Sequence, residues 1–344
     1  MKLKSLLMGS AAALISAPVA FAANAPDAVT AEPEPVEHVR VCDMYGTGFF
    51  YIPGTERCLV ITGELRVQYQ YQETDGEGDG AEGSSGEGTW YGRVNFDAKE
   101  ETDHGTLRSY VRMESTTGTN ASEGDVHVRD AYIELGGFST GYRTSRAELT
   151  GLPGQMFDGS YHGGGRVMYA DYTFAANGLA VISGVSLDNE DDGSAESVDF
   201  YFRADYSTDM FSFGGVVAND SSTEESAFGV YATLTPADGL TLQGYFNDQS
   251  GMTQFGSVDS EDHTRWGIGA SYGVTDAITL AAGYYGGEGG EGGNDDELEA
   301  FSLNLAWTVA ENLVVQLGYN HEEVESVDGD TEEDNMRVRI QRNF

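Results

Sequence analysis

The chain has 344 residues and a formal charge of −39, with 57 acidic residues against 18 basic ones. Phosphate binding needs clustered Lys and Arg, so this balance excludes a nucleic-acid partner. A mean hydropathy of −0.35 excludes a bundle of membrane helices, but not a barrel, whose lumen and loops are polar. The 46 glycines and 19 tyrosines, set against 7 prolines, point to all-β structure with many turns.

At the N-terminus, Lys2 and Lys4 precede an apolar stretch from Leu6 to Val19, and Ala20-Phe21-Ala22 offers a small-x-small cleavage site. This predicts an export signal over residues 1–22, too short to span a membrane as a helix. No later segment reaches the roughly 18 consecutive apolar residues of a membrane helix. Residues 23–58 form a proline-bearing, acidic segment that ends in the only two cysteines, Cys42 and Cys58. Export makes a disulfide their natural reading, with two free thiols as the alternative. The segment is expected to lie in the periplasm.

Residues 59–344 change character. Stretches of about ten residues alternate apolar and polar, the period of a strand with one apolar face. From Trp90, one face carries Trp90, Val94 and Phe96 and the other Tyr91, Arg93, Asn95 and Asp97. From Leu107, Val111 and Met113 oppose Arg108, Tyr110, Arg112 and Glu114. From Val198, Phe200 and Phe202 oppose Asp199, Tyr201, Arg203 and Asp205; at the C-terminus, Met336, Val338 and Ile340 oppose Arg337 and Arg339.

The connections carry the topology. Short ones fall at Thr102–Gly105, Gly136-Gly137, Ala175–Gly178, Ser207–Asp209, Pro236–Gly239, Val274–Ala277 and Val309–Asn312. Long, acidic or Gly-rich ones fall at Glu73–Gly88, Thr117–Gly124, Leu149–Gly165, Asp188–Ser197, Asp220–Glu225, Ser250–Asp262, Gly287–Glu297 and Glu322–Asp334. Seven short and eight long connections in alternation join sixteen strands, the pattern of an antiparallel up-and-down transmembrane β-barrel. Strands of nine to eleven residues suit a tilted bilayer crossing. Aromatic residues near strand ends, among them Tyr71, Trp90, Tyr142, Tyr172, Trp266, Tyr284, Trp307, Tyr319 and Phe344, are expected to form interfacial girdles.

The block from Pro33-Glu34-Pro35-Val36-Glu37 through Val41-Cys42-Asp43-Met44-Tyr45-Gly46-Thr47-Gly48-Phe49-Phe50-Tyr51-Ile52-Pro53-Gly54 to Arg57-Cys58-Leu59 resembles the N-terminus of the alphaproteobacterial porins, the general porins of Brucella and the rhizobia. The first strand after it, the Asp130-Ala131-Tyr132-Ile133 strand and the strand ending in Phe344 are similar to that family too. The resemblance implies sixteen-stranded homotrimeric channels of the outer membrane for small hydrophilic solutes. It also implies a third long loop that folds inward; here that loop is Leu149–Gly165, with Asp158 in it and Glu148 just before it.

Arg66, Arg93, Arg108, Arg112, Arg337 and Arg339 fall on the polar phase of barrel strands 1, 2, 3 and 16, which a closed ring makes neighbours. Facing Glu148 and Asp158 they would set a transverse field across a pore constriction. The alternative is that each pairs with a nearby carboxylate such as Asp97 or Glu114. The wall acids Asp97, Glu114, Asp130, Glu134, Asp199 and Asp205, with the acidic loops, predict cation preference. The loops could also serve as a salt-adapted surface, or bind lipopolysaccharide through divalent ions.

No cofactor or metal site is expected. Gly269-Ala270-Ser271-Tyr272-Gly273 matches an esterase pattern and His162-Gly163-Gly164-Gly165 an oxyanion loop, but the nucleophile elbow needs a strand turning into a helix, and Ser271 lies inside an alternating strand. Asp188–Gly193 departs from calcium-loop spacing at Glu190. Two other readings stay open: a surface adhesin or structural barrel with a plugged lumen, and an exported soluble β-domain.

Overall fold

The computed structural model describes residues 40–76, 83–118, 124–147, 149, 151–157, 166–188, 197–219, 221, 226–249, 263–289, 296–326 and 329–344. A two-residue strand β1 (Phe50–Tyr51) precedes β2 (Cys58–Gly76), β3 (Gly83–Thr102), β4 (Gly105–Gly118), β5 (His127–Leu135), β6 (Phe138–Thr144), β7 (Arg166–Ala176), β8 (Leu179–Asp188) and β9 (Ser197–Ser207). The second half continues with β10 (Phe211–Asn219), β11 (Ser226–Ala237), β12 (Leu240–Gln249), β13 (His263–Thr275), β14 (Ile278–Gly289), β15 (Glu297–Ala310), β16 (Leu313–Glu325) and β17 (Thr331–Asn343).

Each of β2–β17 pairs antiparallel with the next, and β17 pairs with β2 from Thr331↔Gly76 to Asn343↔Glu64. The ring of sixteen strands is therefore closed, and no edge is left to template another chain. Phe344 completes it: its N–H donates to the Gly63 carbonyl at 3.0 Å and its carbonyl accepts from the Gly63 N–H at 2.7 Å. Gly63 is the seat for this terminal ring, because a Cβ there would fall 2.2 Å from Phe344 Cζ.

Period two decides which side each residue takes. Leu65, Val67, Tyr69 and Tyr71 on β2 are exposed on the outer face, as are Phe200 and Phe202 on β9 and Met336, Val338 and Ile340 on β17. Their neighbours Arg66, Gln68, Gln70, Asp199, Tyr201, Arg337 and Arg339 line the interior. Apolar side chains facing outward on every side have a physical home only in hydrocarbon, where the closed ladder satisfies each backbone group. The outer aromatics form two belts. Tyr71, Trp90, Trp266 and Tyr284 lie toward the long-loop end, and Tyr172, Trp307 and Phe344 toward the short-turn end.

All seven short connections fall where the pattern puts them, two of them with Asn177 (φ 52°) and Asn312 (φ 60°) in the left-handed region. Strand lengths depart from expectation, running from 7 residues in β6 to 20 in β3. The expected first loop Glu73–Gly88 is largely a paired hairpin, from Glu73↔Ser84 to Tyr69↔Gly88. Its Ser, Gly and Glu side chains hide the strand from an apolar–polar test, because both faces stand in water there.

The N-terminal segment folds against the short-turn end. Cys42 and Cys58 are disulfide-bonded with a Cα–Cα distance of 6.0 Å, and both are buried with Phe49. Tyr45, Tyr51 and Val60 pack around them. Cys58 and Val60 share the inward phase of Arg66, so this hook occupies the inner side of the barrel mouth rather than hanging from it. Arg57 pairs with Glu100 at 2.8 Å, the Tyr45 hydroxyl donates to Glu101 at 2.9 Å, and Lys99 sits 4.8 Å over the Phe49 ring.

Candidate functional site

The loop between β6 and β7 enters the lumen and crosses half of its wall. Leu149, Leu152, Met156 and Phe157 are all buried. They can be, because inward positions of the strands they cross are glycine. A Cβ at Gly229 on β11 would stand 2.6 Å from Leu149 Cδ1, and one at Gly269 on β13 would stand 3.2 Å from Leu152 Cβ. At Gly283 on β14 it would meet Leu152 at 3.1 Å, and at Gly318 on β16 it would meet Phe157 at 2.8 Å and Met156 at 3.0 Å. The four glycines form a trough in the wall that receives the loop, whose own turn uses Gly154 at φ +73°.

Polar bonds fix the loop's height. Gln243 donates to the Gly151 carbonyl at 2.8 Å, and Ser302 and Asn304 both donate to Gln155 Oε1. At the far end Arg337 donates to the Met156 carbonyl at 2.5 Å, and its guanidinium lies 4.3 Å over the Phe157 ring. The trough wall, β10–β16, presents inward Val216, Ala218, Tyr245, Ala281, Ala300, Ser302 and Asn304, which are small or neutral.

The opposite wall is charged. Arg66 pairs with Glu64 at 2.6 Å, and Arg93 reaches Glu64 at 3.5 Å and Glu114 at 3.7 Å. Arg108 pairs with Asp97 at 2.8 Å and Glu134 at 2.9 Å, and Arg112 with Asp130 at 3.0 Å. Each of these four arginines therefore has a carboxylate neighbour on the wall itself. Arg337 and Arg339 differ: they bond Gln70 and Gln68 and form no salt bridge among the described residues. Arg337 is in addition a tether for the loop. Glu148 and Asp158 lie outside the described residues.

The sequence pattern did not single out Arg129, Arg143, Arg146 or Arg166, and it put Arg203 on the polar phase of its strand without a role. Glu114, almost wholly buried, gathers Arg129 at 2.6 Å, Arg166 at 3.9 Å, His127 at 3.6 Å and the Tyr91 hydroxyl at 2.6 Å. Strict alternation turns Arg129 outward. A register shift opposite Arg112/Met113 brings it inside beside Asp130, which is how a bulge re-aims a side chain. Arg146 pairs with Asp171 at 2.9 Å and Glu134 at 3.4 Å, and Arg203 with Asp205 at 2.8 Å. Cavities of about 590 Å³, lined by Arg143, Arg146, Arg203 and Asp205 among others, and about 370 Å³, lined by Arg108, Tyr110, Arg112, Asp130 and Tyr132 with Arg143, open along this wall.

Nothing in this arrangement resembles a catalytic centre. Ser271 sits mid-strand in β13, paired with Thr241 and Ala281. Most of the His162 and Asp188–Gly193 motifs lies outside the described residues.

Comparison with known proteins agrees with the geometry. A family model described as "Porin subfamily" matches residues 27–341. Porin Omp2a of Brucella ovis is 34% identical over 318 residues, covering 81% of this chain and 88% of that protein. Porin Omp2b of Brucella neotomae is 32% identical over 311 residues, covering 81% and 83%. Among solved structures, the outer membrane channel DcaP of Acinetobacter baumannii superposes with a TM-score of 0.67 at 14% identity, over 86% of this chain and 99% of that one. OmpF of Salmonella typhi, solved with daunomycin, gives 0.63 at 14% identity over 84% and 98%. These two speak to the fold alone. With a family model spanning most of its length, and a closed barrel whose polar lumen is entered by the loop between β6 and β7, the chain belongs to the porin family, as a channel of the outer membrane and not an enzyme.

Proposed function

We propose that the protein is a passive, cation-preferring diffusion channel for small hydrophilic solutes and ions, working as a homotrimer after loss of residues 1–22. The observation that carries the diffusion reading is the division of the lumen. The inward loop is pinned to the neutral wall, and the charged wall keeps its cavities. The trimer rests on the resemblance to porins, one of whose structural neighbours, OmpT of Vibrio cholerae, is described in a trimer form.

Cation preference rests on where the uncompensated charge lies. The wall arginines and carboxylates largely pair with each other, whereas the eight long connections contain no Lys or Arg at all and many Asp and Glu. An acidic vestibule concentrates cations at the mouth. It would also hold divalent ions that bridge to lipopolysaccharide. Reversal potentials in a KCl gradient across a planar bilayer test the preference. The sign of potassium selectivity is expected, weakening as the Debye length shrinks from about 10 Å at 0.1 M salt to about 3 Å at 1 M. Chloride selectivity at low salt would refute it.

A further inference from the structure

The outer wall over β11–β15 is not smooth. Ala232, Gly244, Ala270 and Ala282 share its outward phase and stand beside Phe213, Ile268 and Phe301. Small residues among large ones sink a hollow there: two adjoining cavities of about 820 Å³ and 760 Å³ meet at Ala270, Ala282 and Leu303. The backbone does not require glycine at this floor. A Cβ on Gly244 would meet only the Gly267 carbonyl at 3.5 Å and Ile268 Cγ2 at 3.6 Å, which are ordinary contacts. The hollow lies between the belts marked by Tyr284 and Trp307, at the depth of hydrocarbon, so an acyl chain reaches it and a water-borne ligand does not. Its size is that of sites which bury small ligands.

The groups above the hollow select the headgroup. Tyr284 and Phe301 close it toward the long-loop end, with Trp266 5.3 Å from the Tyr284 ring and Tyr319 5.7 Å from that of Phe301. Beyond this aromatic shelf the outward phase turns to carboxylates in cross-strand register. Glu288 faces Glu297 and Glu297 faces Glu325, while Glu299 faces Glu323 and Glu323 faces Glu332. All are exposed, and none forms a salt bridge among the described residues. His321 is the one basic group on this outward strip among the described residues, and Asp334 already holds it at 3.0 Å. Like charges directly opposite each other destabilise a sheet, so a cation settling among them is favourable. Ring faces beside carboxylates are the chemistry that recognises an ammonium group.

We propose that this wall binds a lipid with an ammonium headgroup, its acyl chain in the hollow and its cation between the Tyr284–Phe301 shelf and the Glu299–Glu323 pair. An anionic lipid bridged to the same carboxylates by a divalent ion is the competing occupant. The shelf favours the organic cation, because a hydrated metal ion keeps its waters and gains little from a ring face. The inference does not depend on what passes through the lumen.

The test uses the full mature protein carrying Trp90→Phe and Trp307→Phe, which leaves Trp266 as its one tryptophan. It is reconstituted in phosphatidylglycerol vesicles with EDTA, and quenching of Trp266 is followed as phosphatidylethanolamine or phosphatidylglycerol with brominated chains is titrated in. Phosphatidylethanolamine is expected to reach half-maximal quenching at a mole fraction about fivefold lower. Glu299→Gln with Glu323→Gln should remove the difference. So should Gly244→Leu with Ala270→Leu, which fills the hollow and leaves the carboxylates; simple repulsion of the anionic lipid would survive that change. The leucine variant is read once its heat-modifiable migration shows an assembled barrel, and Ala270→Leu alone serves where the pair does not assemble. Equal quenching by the two lipids, a preference that outlasts the leucine changes, or phosphatidylglycerol drawing level when magnesium is added overturns the proposal. Failure of both lipids to quench Trp266 would put a second copy of the chain on this wall and overturn it as well.

Discussion

Gly318→Val is the sharpest way to ask whether the inward loop is held by the trough. Valine suits a strand, and β16 is hydrogen-bonded to β15 and β17 along its length, so the wall does not yield. The new Cβ alone would stand 2.8 Å from Phe157 and 3.0 Å from Met156, about 1 Å inside ordinary contact, so the loop tip must leave. Overpacking costs about 1–3 kcal/mol. Exposing Met156 or Phe157 forfeits about 1.5–3 kcal/mol each. A net penalty of roughly 3 kcal/mol shifts the ratio of docked to undocked loop by roughly 150-fold. A loop that is almost always docked in the wild type would then be undocked for a large share of the time. Single-channel recording should show a second, larger conductance level and added open-channel noise, while the barrel keeps its heat-modifiable migration on electrophoresis. An unchanged conductance with unchanged noise would refute the reasoning.

Arg337→Gln removes the bond to the Met156 carbonyl and the contact with Phe157; it should produce the same second level less often, whereas Arg339→Gln, whose side chain bonds Gln68 rather than the loop, should alter ion selectivity without it. Reducing the Cys42–Cys58 bond, or replacing both residues by Ser, releases a closure of 16 residues worth about 3 kcal/mol on a chain-entropy model; limited proteolysis should then cut within residues 43–57 while the barrel core stays resistant. Gly63→Leu should lower the yield of assembled barrel in refolding experiments, because it occupies the seat of Phe344.

Period two made the fold legible. Val198, Phe200 and Phe202 against Asp199, Tyr201 and Arg203 fix both the strand and its phase, and a slip of one residue would reverse every side chain. The short turns were legible for the same reason, as interruptions of that alternation. What was hidden had no apolar signature. The hairpin beyond Tyr71 is polar on both faces. Arg129 reaches the lumen through a bulge, which alternation cannot register. Glycine content speaks for turns, yet Gly229, Gly269, Gly283 and Gly318 lie within strands as the empty places that admit the loop. That role exists only once β11–β16 are side by side. Ion pairing was similarly out of reach, since Arg66–Glu64 is visible along one strand but Arg112–Asp130 needs the register of two.

The central claim is that the apolar faces look outward into lipid and the ring encloses water. Swelling of liposomes carrying the purified mature protein tests it most directly. Vesicles should admit small neutral sugars at rates that fall steeply with solute size. Vesicles that stay sealed to the smallest sugar, with the protein inserted and folded, would contradict the account.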